Sequence, residues 1–514
     1  MSIVERINKI NSLISTENKT DQIDSSIIDK YNTFKEWLIS NGAIIPNIEF
    51  PILYSSLQII GCRTGIKIGT NTAMLYIPYK MIIDSHNLEI KAKSHSLKLT
   101  LFLLEEGKKD NSFYRPYIDL ICLEDKCPFI VNCYESYKEQ LNNEIISEIN
   151  QYEEEINEMY SKAKEIGYEY KFDLFKKFYI FVISREFYIN EQSSMLIPLA
   201  DLLNHNANVD IKYEFFDSEN YVMKFTSMLD ESHKDSNLRF YTNTESFFDN
   251  AKQISINDSN KDKELMIDLD IAEDKPYEKN PSKNDYFVIS TNSEQIFQKG
   301  EQIYNNYGKN DNMFYLIHFG FCHLGNKNDT TKVQITIPIS KDDIELTSYL
   351  NMTFEKDIID INDKAVTLLF YIQNSKFHIN LFKLYKKIYF KDDAKTKKIG
   401  ILKVIDELIS FIDMAISKNS IDIEGTFTQI EENIRKGNYI ETMLDTYKLS
   451  QQLNLFNQKE LYSSLKDLIK LSSKTIKSTL ITTLNNNKDK FISHYMTNET
   501  IIHSLNSFLN KNVI

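Results

Sequence analysis

The stretch PLADLLNHNANVD, residues 198–210, begins apolar and turns abruptly polar. Asp201, Asn204, His205, Asn206 and Asn208 gather where a hydrophobic segment would otherwise simply end. Asn204 offers an amide donor and acceptor, and His205 a ring that can stack or accept a hydrogen bond. Taken alone, they suit either a polar binding site at the mouth of a buried element or a turn capped by Asn and Asp. A second stretch, GEQIYNNYG at 300–308, reads as a turn, a strand and a Tyr-Gly pair before a helix. Ile303, Asn305 and Tyr307 alternate onto one face, and Tyr304 faces the other way. Tyr307 ends that strand, where its phenol can point into a site. A chain with 30 Tyr also places many of them as ordinary core aromatics.

Other chemistries find less support. Cys122, Cys127 and Cys133 are spaced by four and five residues with no second pair, which suits packed thiols better than structural zinc, so no residue is assigned to a metal. There is no G-x-S-x-G nucleophile elbow. GCRTGIKIG lacks the G-K-[ST] ending and the strand–helix setting of a phosphate loop. The formal net charge of −13 argues against broad nucleic-acid binding and permits a basic partner. Five Cys, an odd number in 514 residues, point to a reducing compartment. The N-terminal segment lacks the features of a signal peptide, and no apolar run approaches the ~18 residues that span a bilayer. The expectation is a cytoplasmic or nuclear protein, off the membrane and monomeric.

The elements that must position these residues follow from periodicity. An N-terminal amphipathic helix occupies an extension over 1–30, and a second helix carrying Trp37 ends at Gly42. Residues 48–83 read as short strands and turns punctuated by Gly61, Gly65 and Gly69. Helices dominate 95–190, including FDLFKKFYIFVISREFYI as one largely buried helix. Residues 216–284 are rich in Asp, Ser, Asn and Lys and read as a flexible acidic insertion between the strand-like IKYEFF and YFVIS, looping out of a sheet. From about residue 341 the spacing predicts helix to the end.

In this order, SREF, MLIPLADLLNHNAN, GEQIYNNYG and LIHFGF resemble the SET-domain protein methyltransferases. Within them the chain is similar to the class of the Rubisco large-subunit lysine methyltransferases and the actin-histidine methyltransferases. Gly61, Ile68 and Ile77-Pro78 keep that family's upstream spacing, and SFYRPYIDLI resembles its segment around a Pro-Tyr pair; Ile59 stands where the family has a first Gly. The resemblance implies an α+β fold: a SET domain of short strands over 31–335, interrupted by a helical insertion at about 95–190, then an all-α C-terminal substrate-binding domain over 336–514. It implies S-adenosyl-L-methionine as cofactor and a protein substrate bound partly through the C-terminal helices.

Carried over by position, Asn204 and His205 would hold the cofactor, with Asp201 in the adjoining wall. Arg185 matches a cofactor-contacting Arg, although a surface Arg ending a helix reads the same way. Arg63 matches another such Arg, and Phe319, Gly320 and Phe321 match the segment that closes over the adenine side. Tyr307 matches the catalytic Tyr, with Tyr304 as runner-up near the substrate. Phe187 stands where lysine-directed members carry an aromatic and actin-histidine enzymes carry Asn, which favours a lysine stem. The activity implied is lysine N-methylation of a non-histone protein. A histidine methyltransferase and a non-catalytic SET-fold scaffold are the alternatives.

Overall fold

The computed structural model describes residues 2–17, 25–45, 48–123, 130–216, 285–338, 344–361, 364–389, 397–418, 420–491 and 493–511. The chain divides into two compact units. One holds Ser15–Gly308 with Ile317–Gly320, and the other holds Met1–Ile14, Lys309–Leu316 and Phe321–Ile514.

In the first unit, short strands form three sheets, and the PLADLLNHNANVD stretch contributes a strand to one of them. Helix α1 (Ile3–Ser15) belongs to the second unit up to Ile14, and α2 (Ser25–Ser40) is the first helix of this one, burying Tyr31, Phe34, Trp37 and Leu38 at helical spacing. Strands β1 (Ile48–Tyr54), β2 (Ile59–Thr64), β3 (Ala73–Pro78) and β4 (Ile83–Asp84) follow. Helices α3 (His95–Gly107), α4 (Arg115–Leu123), α5 (Ile130–Tyr137), α6 (Asn143–Glu165) and α7 (Phe172–Ile183) come next. Ser94 starts α3 by accepting a hydrogen bond from the Leu97 N–H, and Asn142 starts α6 by accepting one from Ile145.

Helix α7 ends before the SREF tetrapeptide does. The predicted single helix breaks at Ile183, and Phe187–Asn190 forms β5, hairpinned to β6 (Ser193–Leu196). The reason is local: the Asn190 side chain accepts from the Gln192 N–H, closing the turn between them. Strand β7 is only Asn204–His205. IKYEFF and YFVIS form β8 (Ile211–Phe216) and β9 (Tyr286–Thr291), antiparallel neighbours in one register from Ile211↔Thr291 to Phe216↔Tyr286. The intervening acidic insertion, 217–284, lies outside the described residues, as does Cys127. The last strand of this unit is β10 (Gln302–Asn305), reached through a turn at Gly300, whose φ of 81° suits glycine. The sheet orders are β1-β2-β10-β7, β3-β9-β8 and β4-β6-β5.

The second unit is mostly helical, as expected, but strands interrupt the helices after residue 341. Strands β11 (Thr330–Pro338), β12 (Ile358–Ile361) and β13 (Ala365–Gln373) form an antiparallel sheet in the order β11-β13-β12. β11 precedes the segment read as helix and its burial alternates with a period of two, whereas β12 and β13 lie inside that segment and correct the reading. Within the stretch whose spacing predicts helix, the chain breaks at Gly437, whose φ is 74°. Asn438 N–H bonds back to the Asn433 carbonyl and Gly437 N–H to Ile434, so the helix Ile423–Lys436 stops and Tyr439–Leu471 begins. Leu381, Leu408, Tyr462, Leu465 and Phe508 are among the fully buried residues of one core beneath the sheet and helices.

Candidate functional site

The two chemically unusual stretches, about 100 residues apart in sequence, lie side by side. Strand β10 pairs antiparallel with β2, Gln302 opposite Arg63 and Ile303 opposite Cys62. On its other edge it pairs in parallel with β7, Tyr304 opposite Asn204 and Asn305 opposite His205. The Asn206 N–H continues the ladder to the Asn305 carbonyl at 3.0 Å. Asn206 and Asn208 behave as turn residues: Asn206 Oδ1 accepts from the Asn208 N–H.

Upstream of β7 the chain turns sharply. Leu199 is fully buried with φ 73° and ψ −42°, a conformation that costs a non-glycine residue about 1–3 kcal/mol. The turn that follows, Ala200–Leu202, buries the Asp201 carboxyl. Tyr117 Oη donates to Asp201 Oδ2 at 2.6 Å, and Tyr117 itself stacks on Phe34 at 6.1 Å between centroids. Arg185 Nη1 donates to the Asp201 carbonyl at 2.7 Å, and its guanidinium lies 4.6 Å from the centre of the Phe181 ring. This bond commits one guanidinium nitrogen to a protein carbonyl, so Arg185 fixes this turn whatever else it holds.

Asn204 Nδ2 donates to the Ile60 carbonyl at 3.1 Å. That amide lies where a side chain on residue 61 would go: a Cβ at Gly61 would be 2.6 Å from Asn204 Nδ2 and 2.7 Å from Gln302 Nε2. His205 Nδ1 accepts the Tyr307 N–H at 3.0 Å, which leaves the proton of a neutral ring on Nε2. Tyr307 Oη donates to the Leu203 carbonyl at 2.7 Å. The rings of His205, Tyr307 and Phe319 run on from one another, with centroids 5.2 and 5.0 Å apart. Gly320, with φ 73°, turns the chain just after Phe319. Thus Arg185 joins Asp201, Asn204 joins Tyr304 and Gly61, and His205 joins Tyr307 and Phe319.

Three expected site residues make contacts of their own. Arg63 is engaged in ion pairs, 2.5 Å to Glu17 and 2.6 Å to Glu49, on the strand that carries Gly61. Phe321 belongs to the other unit and stacks on Tyr315 at 5.0 Å. Phe187 groups with Tyr213 and Phe287, at 5.9 and 5.6 Å between ring centres. Tyr304 is set apart from Tyr307 by its environment: burial and the nearby Glu301 push its phenol up to about 12, while a hydrogen bond with Ser15 acts the other way.

Sequence reading missed several participants. Tyr117, in the quoted Pro-Tyr pair, anchors Asp201. Gln302 shares the Gly61 notch. Glu186, between Arg185 and Phe187, is mostly buried, accepts from Ser96 Oγ at 2.7 Å, and is pushed up to about 7, chiefly by burial. Only Tyr117 had a signal, the resemblance of its segment; a lone Glu or Gln has none.

Among solved structures the chain is similar to the SET domain of LSMT bound to lysine and AdoHcy, at 15% identity and a TM-score of 0.50. It is likewise similar to Rubisco LSMT bound to AdoMet, at 15% identity and a TM-score of 0.51, and to Rubisco LSMT bound to sinefungin and monomethyllysine, at 15% and 0.50. Each alignment covers 86% of this chain and 93% of the other. No protein-family model matches the chain, and no curated protein matches it in sequence. The chain therefore has the SET-domain fold with a helical C-terminal region.

Proposed function

We propose that the chain is an S-adenosyl-L-methionine-dependent protein methyltransferase acting on a lysine of a non-histone protein. The observation that carries this reading is the parallel pairing of Asn204-His205 with Tyr304-Asn305, which brings His205, Tyr307 and Phe319 into one run of aromatic faces. Such faces suit a cationic sulfonium and a flat purine. The residues present fit the cofactor, which when bound supplies an electrophilic methyl group. His205, Phe319 and the backbone of Asn204-His205 would hold it, with Arg185 and Asp201 fixing the turn before them. Arg63, committed to Glu17 and Glu49, takes no part in this reading.

Tyr307 has its hydroxyl proton committed to Leu203, so its oxygen lone pairs are what it can offer. They would accept an N–H from an approaching amine and aim the nitrogen lone pair. In a displacement reaction such alignment carries much of the rate. Phe187, Tyr213 and Phe287 form an aromatic wall that suits an aliphatic lysine stem. The C-terminal helical region is the proposed seat for part of the protein substrate.

Isothermal titration of the full chain with S-adenosyl-L-methionine tests the reading. Saturable binding, weakened in Asn204→Ala, supports it; a folded wild-type protein that binds none overturns it. Mass spectrometry of peptides offering Lys or His then separates the two target residues.

A further inference from the structure

The second unit contains a small cavity, walled in part by Ile7, Leu453 and Tyr495, that the methyl-transfer reading does not use. Its volume is about 20 Å³, room for one water-sized occupant. Asp329, Asn457, Asn326, Asn374, Ser450 and Asn454 line it, and each is more than nine-tenths buried except Asn374, which is partly so.

Two features leave this cavity rich in acceptors and short of positive charge. Asp329 is 1% exposed, and no ion pair to it occurs among the described residues. Its Oδ1 accepts from the Asn312 and Thr330 N–H groups at 2.9 and 3.1 Å, and its Oδ2 from Asn312 Nδ2 at 3.0 Å. A carboxylate has about four lone-pair sites, so Oδ2 keeps one. Asn457 Oδ1 is buried and accepts nothing from the described residues. Its orientation is fixed: Asn374 Nδ2 donates to the Asn326 carbonyl, so Asn374 Oδ1 faces Asn457 Nδ2, 2.7 Å away.

We propose that this cavity binds one monovalent cation of sodium or potassium size, held by the Asp329 carboxylate and the Asn457 side-chain oxygen. A buried carboxylate without a counter-charge is costly, and a single positive charge cancels it. Calcium and magnesium are the wrong class, because one carboxylate cancels a single positive charge, and magnesium would also keep several waters that one water-sized space cannot hold. Burial, with Asp311 nearby, already pushes the Asp329 carboxyl up to about 7. The Cys322 thiol is the other titratable group coupled to Asp329, and it is pushed up as well, chiefly by burial. The test therefore belongs at pH 8, where the carboxylate is ionised.

The full chain is melted by scanning calorimetry in 100 mM sodium, potassium or choline chloride at pH 8; choline is too large to enter. A site filled tenfold above its dissociation constant raises the melting temperature by roughly 3 °C over choline. Asp329→Asn and Asn457→Leu should each abolish the difference. Crystals soaked in rubidium chloride should show anomalous density between Asp329 and Asn457. Equal melting in all three salts, a cation response that survives Asn457→Leu, or water alone in the rubidium-soaked cavity would each overturn the proposal.

Discussion

Replacing Gly61 by alanine should loosen the junction between β2, β7 and β10. The added Cβ would meet Asn204 Nδ2 at 2.6 Å, Gln302 Nε2 at 2.7 Å and Tyr54 Cε2 at 3.1 Å. Carbon–nitrogen contacts in packed proteins lie nearer 3.5 Å, so both amides must retreat by roughly 0.8 Å. Gln302 can give by rotating its longer side chain. Asn204 is short, and its Nδ2 is held 3.1 Å from the Ile60 carbonyl, so retreat breaks that hydrogen bond. Overpacking costs roughly 1–3 kcal/mol and the lost bond about 1 kcal/mol, so a fall near 2–4 kcal/mol is expected. At roughly 2–4 °C per kcal/mol this is a drop of about 5–15 °C in the melting step of that unit. Because Asn204 neighbours the proposed cofactor seat, affinity for S-adenosyl-L-methionine should fall about tenfold or more. Gly107→Ala is the control: its Cβ meets only Ile118, at 3.9 Å, and should leave both readings unchanged. Calorimetry and titration on the two variants decide the matter. A Gly61→Ala protein with wild-type melting and wild-type affinity would refute the reasoning.

Three further substitutions probe the same neighbourhood. Tyr117→Phe removes a donor from the buried Asp201 carboxyl while leaving the ring on Phe34; a loss of about 1.5–3 kcal/mol is expected, read as a lower urea midpoint at unchanged slope. Tyr307→Phe should cost only about 1 kcal/mol of stability through the Leu203 bond, yet lower kcat at least ~100-fold with cofactor affinity nearly intact; equal loss in both would make Tyr307 a packing residue. Glu186 is held above the usual carboxylate range, so its contribution to stability is full below about pH 4.5 and is lost as pH rises through about 7. Glu186→Gln cannot ionise and should gain on wild type by on the order of 3 kcal/mol between pH 5 and 8, measured by urea unfolding at each pH; a pH-independent difference would contradict this.

The legible parts of this chain are those where one local signal suffices. The core faces of α2 and α6 follow from 3.6-residue spacing, and β8 and β9 from their β-branched and aromatic runs. The turn at Gly300 and the chemical oddity of Asn204-His205 were equally visible. Where two signals overlapped, the reading failed. Phe187–Asn190 continues an aromatic run from α7, and only an Asx turn two residues later reveals the hairpin. β13 is the interior strand between β11 and β12, and its run AVTLLFYI is apolar on both faces, so its sequence has no alternation clean enough to separate it from helix.

The candidate site could be named from the sequence as a list of residues but not as an arrangement of atoms. Its central element, β7, has two residues, too short for any periodicity to mark it as a strand. It exists because β10 supplies a parallel edge from 100 residues downstream, and parallel pairing leaves no turn signal between partners. Side-chain commitments are equally remote in sequence: Asn204 reaches back to Ile60, Tyr117 forward to Asp201, and Tyr307 to Leu203. Those bonds give the polar cluster a structural role beside the proposed one. Asn204 Nδ2, His205 Nδ1 and the Tyr307 hydroxyl are spent on holding backbone, which fixes the proposed seat in place without a ligand. A rigid seat loses little entropy on binding, so the residues that look like a clamp can act by fixing the backbone and ring faces that do the holding.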